Sequence, residues 1–116
     1  MKDIPINLEE CFIALSKMSS KEDIEKFKNK SEDGVTAQLH HSVGMGLRNK
    51  WGLWGGSQLK TFFEELGLWH ADDMSSVILT SYHRHLNKID LNLDKQVEHY
   101  KSYWKKMGIA RIGKKL

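Results

Sequence analysis

Between His40 and Arg84 the chain gathers most of the side chains that do chemistry. They are His40, His41, Arg48, Asn49, Ser57, His70, Asp72, Asp73, Ser75, Ser76, His83, Arg84 and His85, with Trp51, Trp54 and Trp69 among them. A helical zinc site needs two histidines one turn apart, as in H-E-x-x-H. At 3.6 residues per turn, His40 and His41 stand about 100° apart and His83 and His85 about 200°, so neither pair chelates one ion from within its own helix. A metal site assembled across helices, from His40 or His83 with Asp72 or Asp73, stays open, but its ligand spacing is unspecific. Serine, histidine and aspartate are all present without a G-x-S-x-G elbow. Gly44-Met45-Gly46 and Gly55-Gly56 match no phosphate-binding fingerprint. Cys11 falls on an apolar helix face, the position of a buried structural thiol. No cofactor and no metal are expected.

What remains is recognition. An arginine fork donates in one plane and suits carboxylates and phosphates. The candidate ligand-binding residues are Arg48, Asn49, Ser57, His70, Asp72, Asp73, His83 and Arg84. Each also has a structural reading. Asp72 and Asp73 at a helix start answer exposed N–H groups and the helix dipole. Either can hold Arg48 or Arg84 in a two-pronged pair, Asn49 and Ser57 can cap helix ends, and the tryptophans can be core. Two outcomes therefore compete. One is a satisfied polar network that specifies a single packing; the other is a pocket for an anionic or polar group.

The elements that carry these residues read as helices. Apolar side chains recur at three and four residues, and the one proline is Pro5. Asn7 with Glu10 forms a capping box ahead of Leu8, Cys11, Phe12, Leu15 and Met18. Ser19 with Glu22 opens a short second helix carrying Ile24 and Phe27, and the polar stretch Asn29 to Gly34 reads as a loop. A third helix is expected from about Val35 to Lys50, with Leu39, Val43 and Leu47 inward. Gly44 and Gly46 within it mark close approach of a neighbour or a kink. Ser57 caps a fourth helix bearing Leu59, Phe62, Phe63 and Leu66, stopped by Gly67. A fifth starts near Asp72 with Ile78, Leu79, Tyr82 and Leu86 inward. Val77 lies off that arc, which implies cover on the far side too. The last opens near Asn92 and carries Leu93, Val97, Tyr100, Trp104 and Met107 to Gly108.

Composition agrees. At 116 residues, 40% hydrophobic and 28% charged, the chain has the make-up of one folded domain rather than a disordered segment. No apolar run reaches the roughly 18 residues of a membrane span, no secretion signal is evident, and one cysteine makes no disulfide. A cytoplasmic protein is expected. The net charge of +3 is unevenly placed. Lys101, Lys105, Lys106, Arg111, Lys114 and Lys115 stand without an acidic neighbour after residue 100, on a body that is otherwise slightly acidic. Such a segment can attract nucleic acid or can simply be a solvated end. The acidic body argues against a broad phosphate footprint.

The run HHSVGMGLRNKWGLWGGSQL at 40–59, followed by HADDMSSVILTSYHRHLN at 70–87, resembles a bacterial family of domains of unknown function. Its pattern is Arg-Asn, Trp-x-Leu-Trp, Ser-x-Leu, then His-Pro-Asp-Asp-Met-Ser and Ser-x-His-Arg. Arg48, Asn49, Trp51, Trp54, Ser57, Leu59, His70, Asp72, Asp73, Met74, Ser75, His83 and Arg84 fall on it, and Ala71 stands where the pattern has proline. The opening Ile4-Pro5 and Leu8-Glu9-Glu10-Cys11-Phe12 also fit, so the resemblance spans roughly residues 4–104. It implies that these polar residues belong together and carries no known activity.

The expectation is an all-α, compact single-domain bundle of five or six helices over residues 1–108, with a basic, flexible tail at 109–116. Arg48, Asn49, Ser57, Asp72, Asp73, His83 and Arg84 should come near one another. The favoured function is a binding or protein-interaction module for another protein or a small anionic ligand. An enzyme built on the His/Asp/Arg cluster, with or without a metal, and nucleic-acid binding through the C-terminal segment are the alternatives. The oligomeric state is open.

Overall fold

In a computed structural model, residues 4–111 and 114–115 are described, with side chains described for 4–108. Seven helices follow in order: α1 Leu8–Met18, α2 Lys21–Lys28, α3 Glu32–Leu39, α4 Val43–Lys50, α5 Gln58–Leu66, α6 Ala71–Leu86 and α7 Leu93–Lys106. A short antiparallel ladder, β1 Ile109–Arg111 with β2 Lys114–Lys115, ends the described chain. The architecture is the expected all-α bundle. The tail's side chains, and with them its expected basic surface, lie outside the described residues.

α6 is the axis of the fold. Helices α1 to α5 and α7 all lay residues against it. It is therefore buried nearly all round, with Met74, Val77, Ile78 and Leu79 in the core beside Ser75 and Ser81. Small side chains let neighbouring helices approach on every face, which is why Val77, off the Ile78–Tyr82 arc, is fully buried as expected. Around α6 the core is completed by Cys11, Phe12, Leu15, Val35, Leu47, Trp51, Leu53, Leu59, Phe63 and Leu68. Burial pushes the Cys11 thiol up to about 12, so it is a packing group and no nucleophile.

Several local signals act as the sequence suggests. Asn7 accepts the Glu10 N–H at 2.9 Å, and the Glu10 carboxylate accepts the Ile6 N–H at 3.1 Å. Ser57 accepts the Lys60 N–H. Gly67 ends α5 with a left-handed φ of 107°. The second helix is capped one residue later than expected, by Ser20 to the Asp23 N–H. Met18, Val43 and Met107 are exposed rather than inward.

The third expected helix is two. The segment Asn29 to Gly34 is not all loop, because Ser31 caps α3 through the Gly34 N–H. The break falls at 40–42, where neither proline nor glycine stands. There Arg48 Nη2 donates to the His40 carbonyl at 3.1 Å, holding the end of α3 against the side of α4. Gly44 makes the corner possible: a Cβ there would stand 3.1 Å from Arg48 Nη1 and 3.2 Å from the Leu39 carbonyl oxygen. Gly46 has open space and no such role. No helix among the described residues is long and apolar enough to cross a membrane.

Candidate functional site

α6 separates the predicted cluster. Asp72 and Asp73 lie in its first turn, His83 and Arg84 in its last. Eleven residues at 1.5 Å each put these pairs about 16 Å apart along the axis. The expected convergence of Arg48, Asn49, Ser57, Asp72, Asp73, His83 and Arg84 on one place does not occur.

At the far end, Arg84 is fully engaged. Its Nε and Nη2 donate to the two Glu32 carboxylate oxygens at 2.7 and 2.9 Å, and its Nη1 donates to the Leu91 carbonyl at 2.6 Å. This is the two-pronged pair foreseen for an arginine, but with Glu32 rather than Asp72 or Asp73. The hydrogen bonds from Arg84 hold the Glu32 carboxyl below its ordinary range, and the same bonds raise Arg84. Buried His83 donates Nε2–H to the Lys30 carbonyl at 2.7 Å, since a carbonyl only accepts. Asn87 donates to Lys28 and His83 carbonyls beside it. Together these bonds tie α2 and α3 to the end of α6.

At the near end, Arg48 is 4% exposed. Nη1 donates to Ser75 Oγ at 2.8 Å and Nη2 to the His40 carbonyl. Nε lies 3.3 Å from Asp72 Oδ1, close enough for ion pairing, but it is not aligned for a hydrogen bond. Asn49 is exposed, and Ser57 is spent on capping α5 and on the Gly52 carbonyl, to which it donates.

His70, not Asp72, caps α6. Its Nδ1 accepts the Asp72 N–H at 3.0 Å, which keeps that nitrogen unprotonated. The 3.9 Å approach of Nδ1 to Asp72 Oδ2 is therefore a neighbour contact and no ion pair. The His70 ring lies parallel to Trp104, 6° between planes at 5.5 Å, and meets Trp54 edge-on at 5.9 Å. Asp73 is buried, and its Oδ2 accepts the Trp104 indole N–H at 2.7 Å. Burial raises the Asp73 carboxyl against the opposing pull of that hydrogen bond. Tyr100 is raised as well, chiefly by burial.

These side chains enclose a cleft of about 370 Å³ between the start of α6 and one face of α7, lined by His70, Asp72, Asp73, His99, Tyr100, Tyr103 and Trp104. Three of the eight predicted site residues thus share one concavity. The other five are buried in the scaffold, capping it, or elsewhere. The spacing puts Tyr100 and Trp104 on the inward stripe of the last helix; the signal that joins Trp104 to Asp73 is its indole N–H, a donor that needs an acceptor once it is half buried. Among the described residues no group of His, Cys, Asp and Glu can hold a metal ion.

The model of one family of domains of unknown function, DUF6794, matches residues 4–86. The chain belongs to that family. The DUF6794 match ends at Leu86, the last residue of α6, short of the span to about 104 expected from sequence. The family's part of the cleft is thus His70, Asp72 and Asp73, and α7 supplies the opposite wall from beyond the matched span. No curated protein and no solved structure matches the chain.

Proposed function

We propose that this DUF6794 domain is a binding module and that its recognition surface is the cleft between the start of α6 and α7. What supports this reading is one arrangement. Tyr103, 50% exposed, lines the concavity with His70, Asp72 and further aromatic rings, and Trp54, 59% exposed, meets the His70 ring edge-on. Large exposed aromatics beside partly open polar groups favour a partner over solvent. The anionic ligand first considered loses its recognisers on this reading, because both arginine forks are spent inside the protein. The same arrangement disfavours an enzyme, since no nucleophile stands beside an oriented base in the cleft. Its place of action on this reading is the cytoplasm.

The test is thermal unfolding against a panel of small ammonium, guanidinium, carboxylate and phosphate compounds, in wild type and in Tyr103→Ala. A ligand of the folded state raises Tm by mass action. The expected result is a rise with at least one class that is lost in the variant. Shifts that persist unchanged in Tyr103→Ala would move the site elsewhere and overturn the assignment.

A further inference from the structure

We infer that the cleft takes an organic cation, an alkylammonium head group, held over the aromatic rings and against the Asp72 and Asp73 carboxylates. This rests on the reading of the cleft as the recognition surface and names what it recognises.

The charge of the lining decides the sign. The cleft's two carboxylates come from consecutive residues of α6, and its other titratable side chains are His70 and His99 and the two tyrosines. No lysine or arginine lines it. Arg48, itself buried, approaches Asp72 at Oδ1 and donates from Nη1 and Nη2 to Ser75 and the His40 carbonyl, and His40 Nε2 stands 3.8 Å from Asp72 Oδ2. The Asp72 side chain stays 40% exposed. The positive end of α6 does not invite an anion either, because His70 already accepts an N–H of the first turn and two aspartates follow it.

The walls decide the kind of cation. Tyr103 and Trp104 meet at 81° with centroids 4.9 Å apart, forming a corner. Ring faces attract a cation through the quadrupole, most effectively a weakly hydrated organic one. A small metal ion needs convergent lone pairs, and the described residues offer no such set. An alkylated ammonium needs only apolar contact and negative potential, and the corner supplies both. A free quaternary amine and an alkylated lysine of a partner protein share this chemistry.

The experiment is a titration of the full chain followed by tryptophan fluorescence and by NMR shifts of the indole N–H groups. The probes are choline, its neutral isostere 3,3-dimethylbutan-1-ol, inorganic phosphate, and a trimethyllysine peptide beside its unmodified form. Choline or the trimethyllysine peptide should saturate and shift the Trp104 indole, with the isostere at least about tenfold weaker. The tighter of the two cations identifies the source. Tyr103→Ala should keep its Tm and lose the binding, while Asp72→Asn should narrow the gap between choline and the isostere. Equal binding of isostere and choline overturns the cation and leaves the cleft as an apolar site. Saturation by phosphate alone overturns it in favour of an anion. No saturation by any probe overturns the cation, whereas the cleft reading itself falls only if the ligand panel finds its shifts insensitive to Tyr103→Ala.

Discussion

The indole of Trp104 donates to the carboxylate of Asp73 at 2.7 Å, joining α7 to the first turn of α6 through a buried acid. The apolar contribution of α7 is thin, since Val97 is its one buried residue. A second polar bond, Gln96 to Ser81 at 3.1 Å, lies further along the same seam. α7 is therefore placed by hydrogen bonds as much as by burial.

Trp104→Phe should cost about 1–3 kcal/mol, because it keeps a ring and leaves a buried carboxylate without its donor. Asp73→Asn should cost less at neutral pH. The amide oxygen still accepts the indole, and the raised carboxyl marks an ionised form that burial disfavours. Stability tied to a raised carboxyl is present below its unfolded pKa and is lost as pH rises through the folded one. Urea unfolding of both variants at neutral pH checks the order, and a larger loss in Asp73→Asn would refute it.

Glu32 behaves with the opposite sign. Its carboxyl is lowered by the Arg84 hydrogen bonds, so its contribution is full above the ordinary value of 4.5 and is lost as pH falls through the folded one. The pair is partly open to solvent, so the effect is modest. Denaturation midpoints measured below pH 5 should fall more steeply in wild type than in Glu32→Gln. Parallel curves would show that the pair adds nothing.

The two glycines of α4 should respond in opposite directions. Gly46→Ala, in open space on an exposed helix face, should stabilise by about 0.5–1 kcal/mol. Gly44→Ala should destabilise, because the new methyl meets a backbone carbonyl and the buried Arg48. Arg48→Ala should cost about 2–4 kcal/mol by stranding Ser75, the His40 carbonyl and Asp72 together. Thermal melts of the three variants settle the ranking, which fails if Gly44→Ala matches Gly46→Ala.

Neighbouring serines separate two cap assignments for α2. Ser20→Ala should lose about 1 kcal/mol and Ser19→Ala close to none, since Ser20 accepts the Asp23 N–H. Equal losses would mean that the helix starts where the Ser19–Glu22 spacing suggested.

What the amino-acid sequence determined by itself was local. Helical periodicity, the caps at Asn7 and Ser57 and the stop at Gly67 each depend on residues within one turn, so their types and spacing are sufficient. So was the all-round burial of α6, because Val77 off the main stripe has no other use. The tertiary structure decided everything that joins distant segments. It split the expected third helix through a bond from Arg48 to His40 that no rule of neighbours contains, since the Ser42 side chain makes no capping bond there. It gave Arg84 to Glu32, fifty-two residues away. It set Asp73 beneath Trp104 and sent His83 to the opposite end of the same helix. A run of polar residues in sequence shows that they share an element. Which of them share a site depends on the length of that element and on which helices cross it, and here sixteen residues of α6 were enough to hold two clusters apart.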